Sequence, residues 1–200
     1  MEAVTSIRRG NPLKSWLDEF LVVVLVLAAL LLGWTIKARV EGQTVPFSTE
    51  DGALSLRYPD RWLEQVDKAT LLTVSDIREE GAFKPEFSVT AREMNPDFPL
   101  TQSDLVVTLS IAKAEQLTAY RVLNVEEGLV GDLEASKMVY AYVVEPAGGP
   151  QNVIPAVVEA VDYVVIYEGR AYVFTFAAPA EHFEGQVGSF HSILASVEFN

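Results

Sequence analysis

Two histidines, no cysteine and a scatter of carboxylates bound the chemistry open to this 200-residue chain. His182 and His191 lie nine residues apart. On one helix that separation is half a turn beyond two full circles, so the rings face opposite sides and cannot share a metal. His182 reads as a helix-start residue, and His191 sits beside a core line of Phe183, Val187, Phe190 and Leu194. The lack of cysteine removes disulfides, thiolate metal sites, c-type haem attachment and thiol nucleophiles. Neither haem nor an iron–sulfur cluster finds a ligand set, and no cofactor is expected.

The members of a Ser-His-Asp triad stand far apart in a chain, so sequence alone does not decide that case. No G-x-S-x-G, phosphate-binding loop, H-E-x-x-H or EF-hand pattern occurs. Gly148-Gly149 reads as a surface turn. Glu126, Glu127, Asp132 and Glu134 cluster around Gly128 and Gly131. Clustered oxygen ligands suit Ca²⁺, and the competing reading is a solvated hairpin end. Asp76, Arg78, Glu79 and Glu80 read as a solvent-facing charged loop. Tyr58 and Trp62 bracket a Tyr-Pro turn; they are a candidate pocket lining, with a core role as the alternative. No catalytic or metal site emerges, and the chain is not expected to be an enzyme.

The elements that position these residues alternate in a definite order. Leu54, Leu56 and Tyr58 mark a strand over 52–58 by period-two patterning. Further strands are expected over 69–75 and 83–94, the last with Phe87, Val89 and Ala91 on one face. Asn95–Leu100 holds two prolines and breaks regular structure. Thr101-Gln102-Ser103-Asp104 matches a helix capping box. The helix should run to about Leu117, with Leu105, Leu109, Ala112 and Gln116 along one side. Hairpins follow, over 120–144 across Gly131-Asp132 and over 153–176 across Glu168-Gly169-Arg170, with a glycine- and proline-rich loop at 146–150. A terminal helix over 181–195 and a short strand at 197–199 close the chain. Strands joined by hairpins, with few helices between them, predict an α+β fold with a largely antiparallel sheet packed between helices.

Phe20–Ile36 is a different object: seventeen residues without a charge. Its length and apolarity predict a transmembrane helix over 16–36. Trp16 and Trp34 stand about 27 Å apart along such a helix and would anchor at the two membrane interfaces. The exit T-I-K-A-R-V-E-G is a poor signal-peptidase site. Arg8, Arg9 and Lys14 before the span outnumber Lys37 and Arg39 after it, which favours a cytoplasmic tail over 1–15 and an extracytoplasmic domain. Residues 37–51 read as a linker and 52–200 as the globular domain. Of the net charge of −13, residues 1–40 carry +2 and the remainder −15. That acidity argues against nucleic acid and against docking on anionic lipid.

Three stretches resemble the PsbP/Mog1-like domains. Leu54–Trp62 (L-S-L-R-Y-P-D-R-W) is similar to their opening strand, Tyr-Pro and Trp. Val161–Pro179 resembles their late hairpin, and Phe190–Phe199 (F-H-S-I-L-A-S-V-E-F) their closing helix and last strand. The resemblance covers roughly residues 45–200. It implies an antiparallel sheet between helices and an accessory or binding role without catalysis, some members serving on photosynthetic complexes. The membrane anchor departs from the soluble members, so their partners do not carry over.

The expectation is therefore a membrane-anchored accessory subunit whose partners are the bilayer and other integral subunits. An electron-transfer complex, quinol-oxidising and alternative complex III-like, is the host suggested by analogy. The alternative is a stand-alone extracytoplasmic module for a small-molecule ligand or a peptide. Within the anchor, Ala29 and Gly33 form a small-xxx-small face that lets another helix approach closely. Gly33→Leu should weaken assembly while leaving the domain folded, as read by co-purification and circular dichroism. Unchanged assembly would mean that the small residues are incidental.

Overall fold

The computed structural model describes residues 21–33, 43–78, 81–145 and 155–200. They fall into two units, one within residues 1–43 and one over Thr44–Asn200. In the first, residues 21–33 form helix α1. Every residue in it is apolar and exposed. Its large side chains range from 47% exposure at Val24 to 65% at Leu21, Leu25 and Leu30. At 1.5 Å per residue the helix is about 20 Å long, short of the roughly 30 Å of a bilayer's hydrocarbon. Among the described residues no helix is long and apolar enough to cross a membrane. The ends of the expected 16–36 span, with Trp16 and Trp34, lie outside the described residues, as do the 1–15 tail and the 146–150 loop.

The second unit is α+β, and every strand pair in it is antiparallel. Its strands are β1 (Thr44–Ser48), β2 (Leu54–Pro59), β3 (Leu63–Glu64), β4 (Leu72–Ser75), β5 (Glu86–Glu93), β6 (Thr118–Val130), β7 (Leu133–Val144), β8 (Ala156–Tyr167), β9 (Arg170–Pro179) and β10 (Glu198–Phe199). Helix α2 (Gln102–Gln116) separates β5 from β6, and α3 (Phe183–Ala195) follows β9. A small sheet has the order β1-β2-β10, and a large one the order β3-β4-β5-β9-β8-β7-β6.

Turn chemistry sets the long hairpins. Glu168 and Gly169 both take positive φ (47° and 75°) between β8 and β9, the signature of a type I′ turn. Gly131, at φ +55°, opens the two-residue turn between β6 and β7. A Cβ there would sit 2.5 Å from the Val197 carbonyl oxygen. That crowding demands glycine on steric grounds as well as for its φ.

Each face of the large sheet has its own core. On one face Leu54, Leu56 and Tyr58 of β2 and Phe183, Phe190, Ile193 and Leu194 of α3 pack against Phe87, Phe174 and Phe176. Phe190 stacks on Phe176 with centroids 5.3 Å apart and leans on Phe87 and Tyr163. On the other face Val106 of α2 packs on Met138, Tyr140, Val158, Ala160 and Val164. Strand β8 lies between both cores, which is why Ala160–Val165 is buried without a break.

The expected elements of the domain appear with shifted ends, β6 and β9 being longer than expected and β4 and β5 shorter, and two strands are additional. Strand β1 lies within 37–51, the stretch expected to be linker, and pairs with β2 from Thr44 to Ser48. Pro46 obscured it, and an edge strand tolerates proline. Strand β3 is too short for a pattern. The capping box is present: Thr101 Oγ1 accepts from the Asp104 N–H at 3.2 Å, and Asp104 Oδ2 accepts from the Thr101 N–H at 2.9 Å.

Gly131→Ala should destabilise more than Gly169→Ala, although both carry positive φ. Each pays roughly 1–2 kcal/mol for the left-handed backbone, while only Gly131 meets the Val197 carbonyl. Urea denaturation of both variants checks this, and equal losses would refute the steric part.

Candidate functional site

A cluster of ionisable groups lies between α2 and the large sheet, around a fully buried carboxyl. Asp162, in the middle of β8, is fully buried. Its Oδ1 accepts from Thr175 Oγ1 at 2.8 Å and from Tyr140 Oη at 3.2 Å. Its Oδ2 faces Lys113 Nζ at 3.3 Å, an ion-pair contact without hydrogen-bond alignment. Lys113 Nζ also donates to Tyr140 Oη at 2.7 Å and sits 4.7 Å from that ring's centroid. Burial pushes the Asp162 carboxyl above its ordinary value, opposed by Lys113 and by the hydroxyl donors. Burial, then the carboxyl of Asp162, holds the Tyr140 phenol far above its usual range. Tyr142, half-buried, is pushed up to about 12 by desolvation and then by the charges of Glu86 and Asp162.

This arrangement keeps Tyr140 protonated, as a donor to Asp162. A phenol so held is a poor general base. Asp162 has no exposed surface, and the Lys113 side chain beside it is 21% exposed. The cluster ties the inner face of α2 to β7, β8 and β9. Removing one member of such a pair leaves an uncompensated buried group, typically at a cost of about 3–5 kcal/mol.

Sequence reasoning did not find the cluster. It placed Gln116 on the inner side of α2, whereas Gln116 is exposed and Lys113 points inward. Propensity sends lysine outward by default, and the partner forty-nine positions away carries no local mark. The one legible signal was an aspartate inside the apolar run V-D-Y-V-V.

The residues singled out in the sequence occupy scattered places. Tyr58 and Trp62 are buried in the main core, and Trp62 stacks on Phe176 at 6.2 Å. The Trp62 indole N–H is buried with no hydrogen-bond partner among the described residues. His182 stands at the N-cap of α3 and His191 is exposed on the same helix. Asp76 is buried rather than solvent-facing, held between Arg61 at 3.7 Å and Arg78 at 3.5 Å. Glu79 and Glu80 lie outside the described residues. Ala29 and Gly33 are exposed on α1, and a Cβ at Gly33 would meet nothing within 4 Å. No three of His, Asp and Glu converge as metal ligands among the described residues.

The acidic hairpin end does line a concavity. A groove of about 770 Å³ runs between the first turn of α2 (Thr101–Ser103) and the β6–β7 hairpin, over Val125–Leu129 and Glu134–Ser136. Gln102 holds its wall, donating from Nε2 to the Glu134 carbonyl at 2.9 Å. Glu126 is paired with Lys137 at 2.7 Å and lies below the usual carboxylate range because of that hydrogen bond. A smaller concavity of about 260 Å³ is lined in part by Asp51, Glu93 and Arg170. Its charges answer one another: Arg170 pairs with Asp51, and with Glu93 at 3.8 Å.

No protein-family model matches the chain, and no curated protein matches it in sequence. Solved structures do match in fold. The chain is similar to cyanobacterial PsbP (CyanoP) from Synechocystis, at 15% identity and a TM-score of 0.57, covering 78% of this chain and 92% of that one. It is similar to LpqN of Mycobacterium tuberculosis, described as involved in cell envelope biogenesis, at 12% identity and a TM-score of 0.52, covering 79% and 91%. The Ran-binding protein Mog1p of Saccharomyces cerevisiae aligns at 12% identity and a TM-score of 0.47, covering 78% and 95%. At these identities the likeness shows a PsbP/Mog1-like fold over most of the chain, and the fold alone.

The buried carboxyl has a pH signature. With its native pKa raised above the ordinary 3.8, Asp162 holds its proton more tightly in the folded chain than in the unfolded one. Its contribution is complete below about pH 4 and is lost as pH rises through the native value. Urea titrations across that window should show wild-type stability falling relative to Asp162→Asn, which keeps the Oδ1 acceptor. Parallel pH profiles would contradict the assignment.

Proposed function

We propose that this chain is a non-catalytic accessory subunit of a larger membrane complex, held at the bilayer by its apolar N-terminal segment. The observation that carries the reading is α1, in which every residue is apolar and exposed. Such a surface is unstable in water and calls for lipid or another helix. In this reading the helix extends over 16–36, Trp16 and Trp34 sit at the interfaces, and the domain lies on the extracytoplasmic side. Ala29 and Gly33 then face a neighbouring helix.

The domain supports the same reading. Its ionisable cluster is sealed, and its open concavity is a groove at a sheet edge, a shape that suits a protein contact better than a reaction. Confinement at the membrane raises effective concentration, so a weak domain contact suffices. The fold shared with a PsbP protein agrees with the accessory role expected from the sequence resemblance. The host we favour is an electron-transfer complex of the quinol-oxidising, alternative complex III-like kind, in which this chain adds no redox centre. The groove beside α2 favours a second reading, an anchored module that binds a peptide or a small molecule.

Purification of the full chain in mild detergent, followed by native gels and mass spectrometry, separates the two. The subunit reading expects integral membrane proteins at fixed stoichiometry. A lone chain with no co-purifying membrane subunits would sink it.

A further inference from the structure

Strand β6 is one edge of the large sheet, thirteen residues long, and among the described residues it pairs only with β7. Its two halves differ. Between Thr118 and Asn124 the register is broken twice, and Ala119 takes a positive φ of 53°. Bulges of this kind spoil an edge as a template for pairing. From Asn124 to Val130 the register with β7 is unbroken.

Val130 and Leu133 flank the two-residue turn and close it as a hydrogen-bonded pair. Bonded and non-bonded pairs alternate along an antiparallel ladder. Counting back, Val125, Glu127 and Leu129 direct their N–H and C=O groups away from β7. No backbone bond outside the strand ladders engages these three. Their side chains share one face, opposite Met138, Ser136 and Glu134 respectively. That face is the groove beside the first turn of α2.

The chemistry of this edge is specific. Val125 is 53% and Leu129 62% exposed, a large apolar area for an unpartnered strand. Glu127 stands between them, exposed and in no ion pair among the described residues. Glu134 adds a second exposed carboxylate to the same groove. Gly128 has no side chain because Tyr163 lies over it, 2.7 Å from where a Cβ would stand.

We infer that Asn124–Val130 receives an extended segment of a partner protein as an added strand, the segment placing apolar and basic residues in turn at every second position (apolar-x-basic-x-apolar), on the one face that meets Val125, Glu127 and Leu129. Main-chain bonds to Val125, Glu127 and Leu129 supply affinity, and the alternate side chains supply selectivity. The apolar residues pack on Val125 and Leu129, and the basic ones answer Glu127 and Glu134. A second copy of this chain fits poorly. The fullest two-fold overlap of Asn124–Val130 sets Glu127 against Glu127, and like charges directly opposite one another disfavour pairing. This inference rests on the reading of the domain as an interaction module and names the kind of partner it meets.

The test uses the full chain in neutral detergent micelles. The probe is a short peptide with valine, lysine and valine at every second position and threonine between them (V-T-K-T-V), and the control a peptide of the same composition with the lysine moved to the opposite face (V-K-T-T-V). Binding is read by fluorescence anisotropy and amide hydrogen exchange. The face-matched peptide should bind more tightly than the control and add protection confined to β6 between Asn124 and Val130. Glu127→Lys should weaken it about tenfold. Val125→Pro, which removes an outward N–H and leaves the ladder to β7 intact, should do the same. Both positions are exposed, so folding is retained and is checked by circular dichroism.

Equal binding of the two peptides, protection elsewhere, or unchanged affinity in both variants would overturn the inference. So would self-association of the chain through β6 without peptide. Failure here with membrane subunits still co-purifying removes the strand-addition site and leaves the subunit reading standing.

Discussion

A carboxylate without solvent is the constraint around which the domain is arranged. Asp162 sits on the inner strand β8, where both faces are covered. A charge there is tolerable only when it is paired and hydrogen-bonded. Thr175 comes from β9, Tyr140 from β7 and Lys113 from α2. The network therefore fixes three neighbouring strands and the rotation of the helix above them. Turning α2 by one residue would carry Lys113 away and leave the carboxyl without a counter-charge. The groove follows from that placement, because its upper wall is the first turn of the same helix. A buried ion pair is a weak source of net stability, and its better-attested use is to select one arrangement among near-equals.

Local patterns carried most of the fold. The capping box, the two long hairpins, the terminal helix and the antiparallel class were legible because each rests on residues close in sequence. Period-two burial in Leu54, Leu56 and Tyr58 and the line Phe183, Val187, Phe190 and Leu194 are of this kind. Strand β1 was not legible, because Pro46 looks like a breaker until β2 is seen beside it. Asp76 looked solvent-facing because Arg61, which helps to bury it, is fifteen positions away. Lys113 and Asp162 failed to show for the same reason at longer range. Tertiary contact overrides the outward preference of lysine, and no window centred on either residue contains the other.

The chain joins two surfaces of opposite character. Helix α1 presents only apolar side chains, and the residues after it belong to a strongly acidic stretch. In the account proposed here the first surface gives location and the second gives a choice of partner. The fold neighbours, at identities of 12–15%, speak to architecture alone.

The central claim is that the Lys113–Tyr140–Asp162–Thr175 network is scaffold and that function lies on the surfaces it positions. Its most direct test replaces all four together, by methionine, phenylalanine, leucine and valine, and follows stability and membrane-subunit co-purification in one preparation. Removing every partner at once leaves no orphaned polar group, so stability should stay within about 1–4 kcal/mol of wild type, in either direction. The account predicts a folded chain that still co-purifies with its membrane partners. A chain that folds normally but loses those partners would contradict it, because the buried network would then act in function directly.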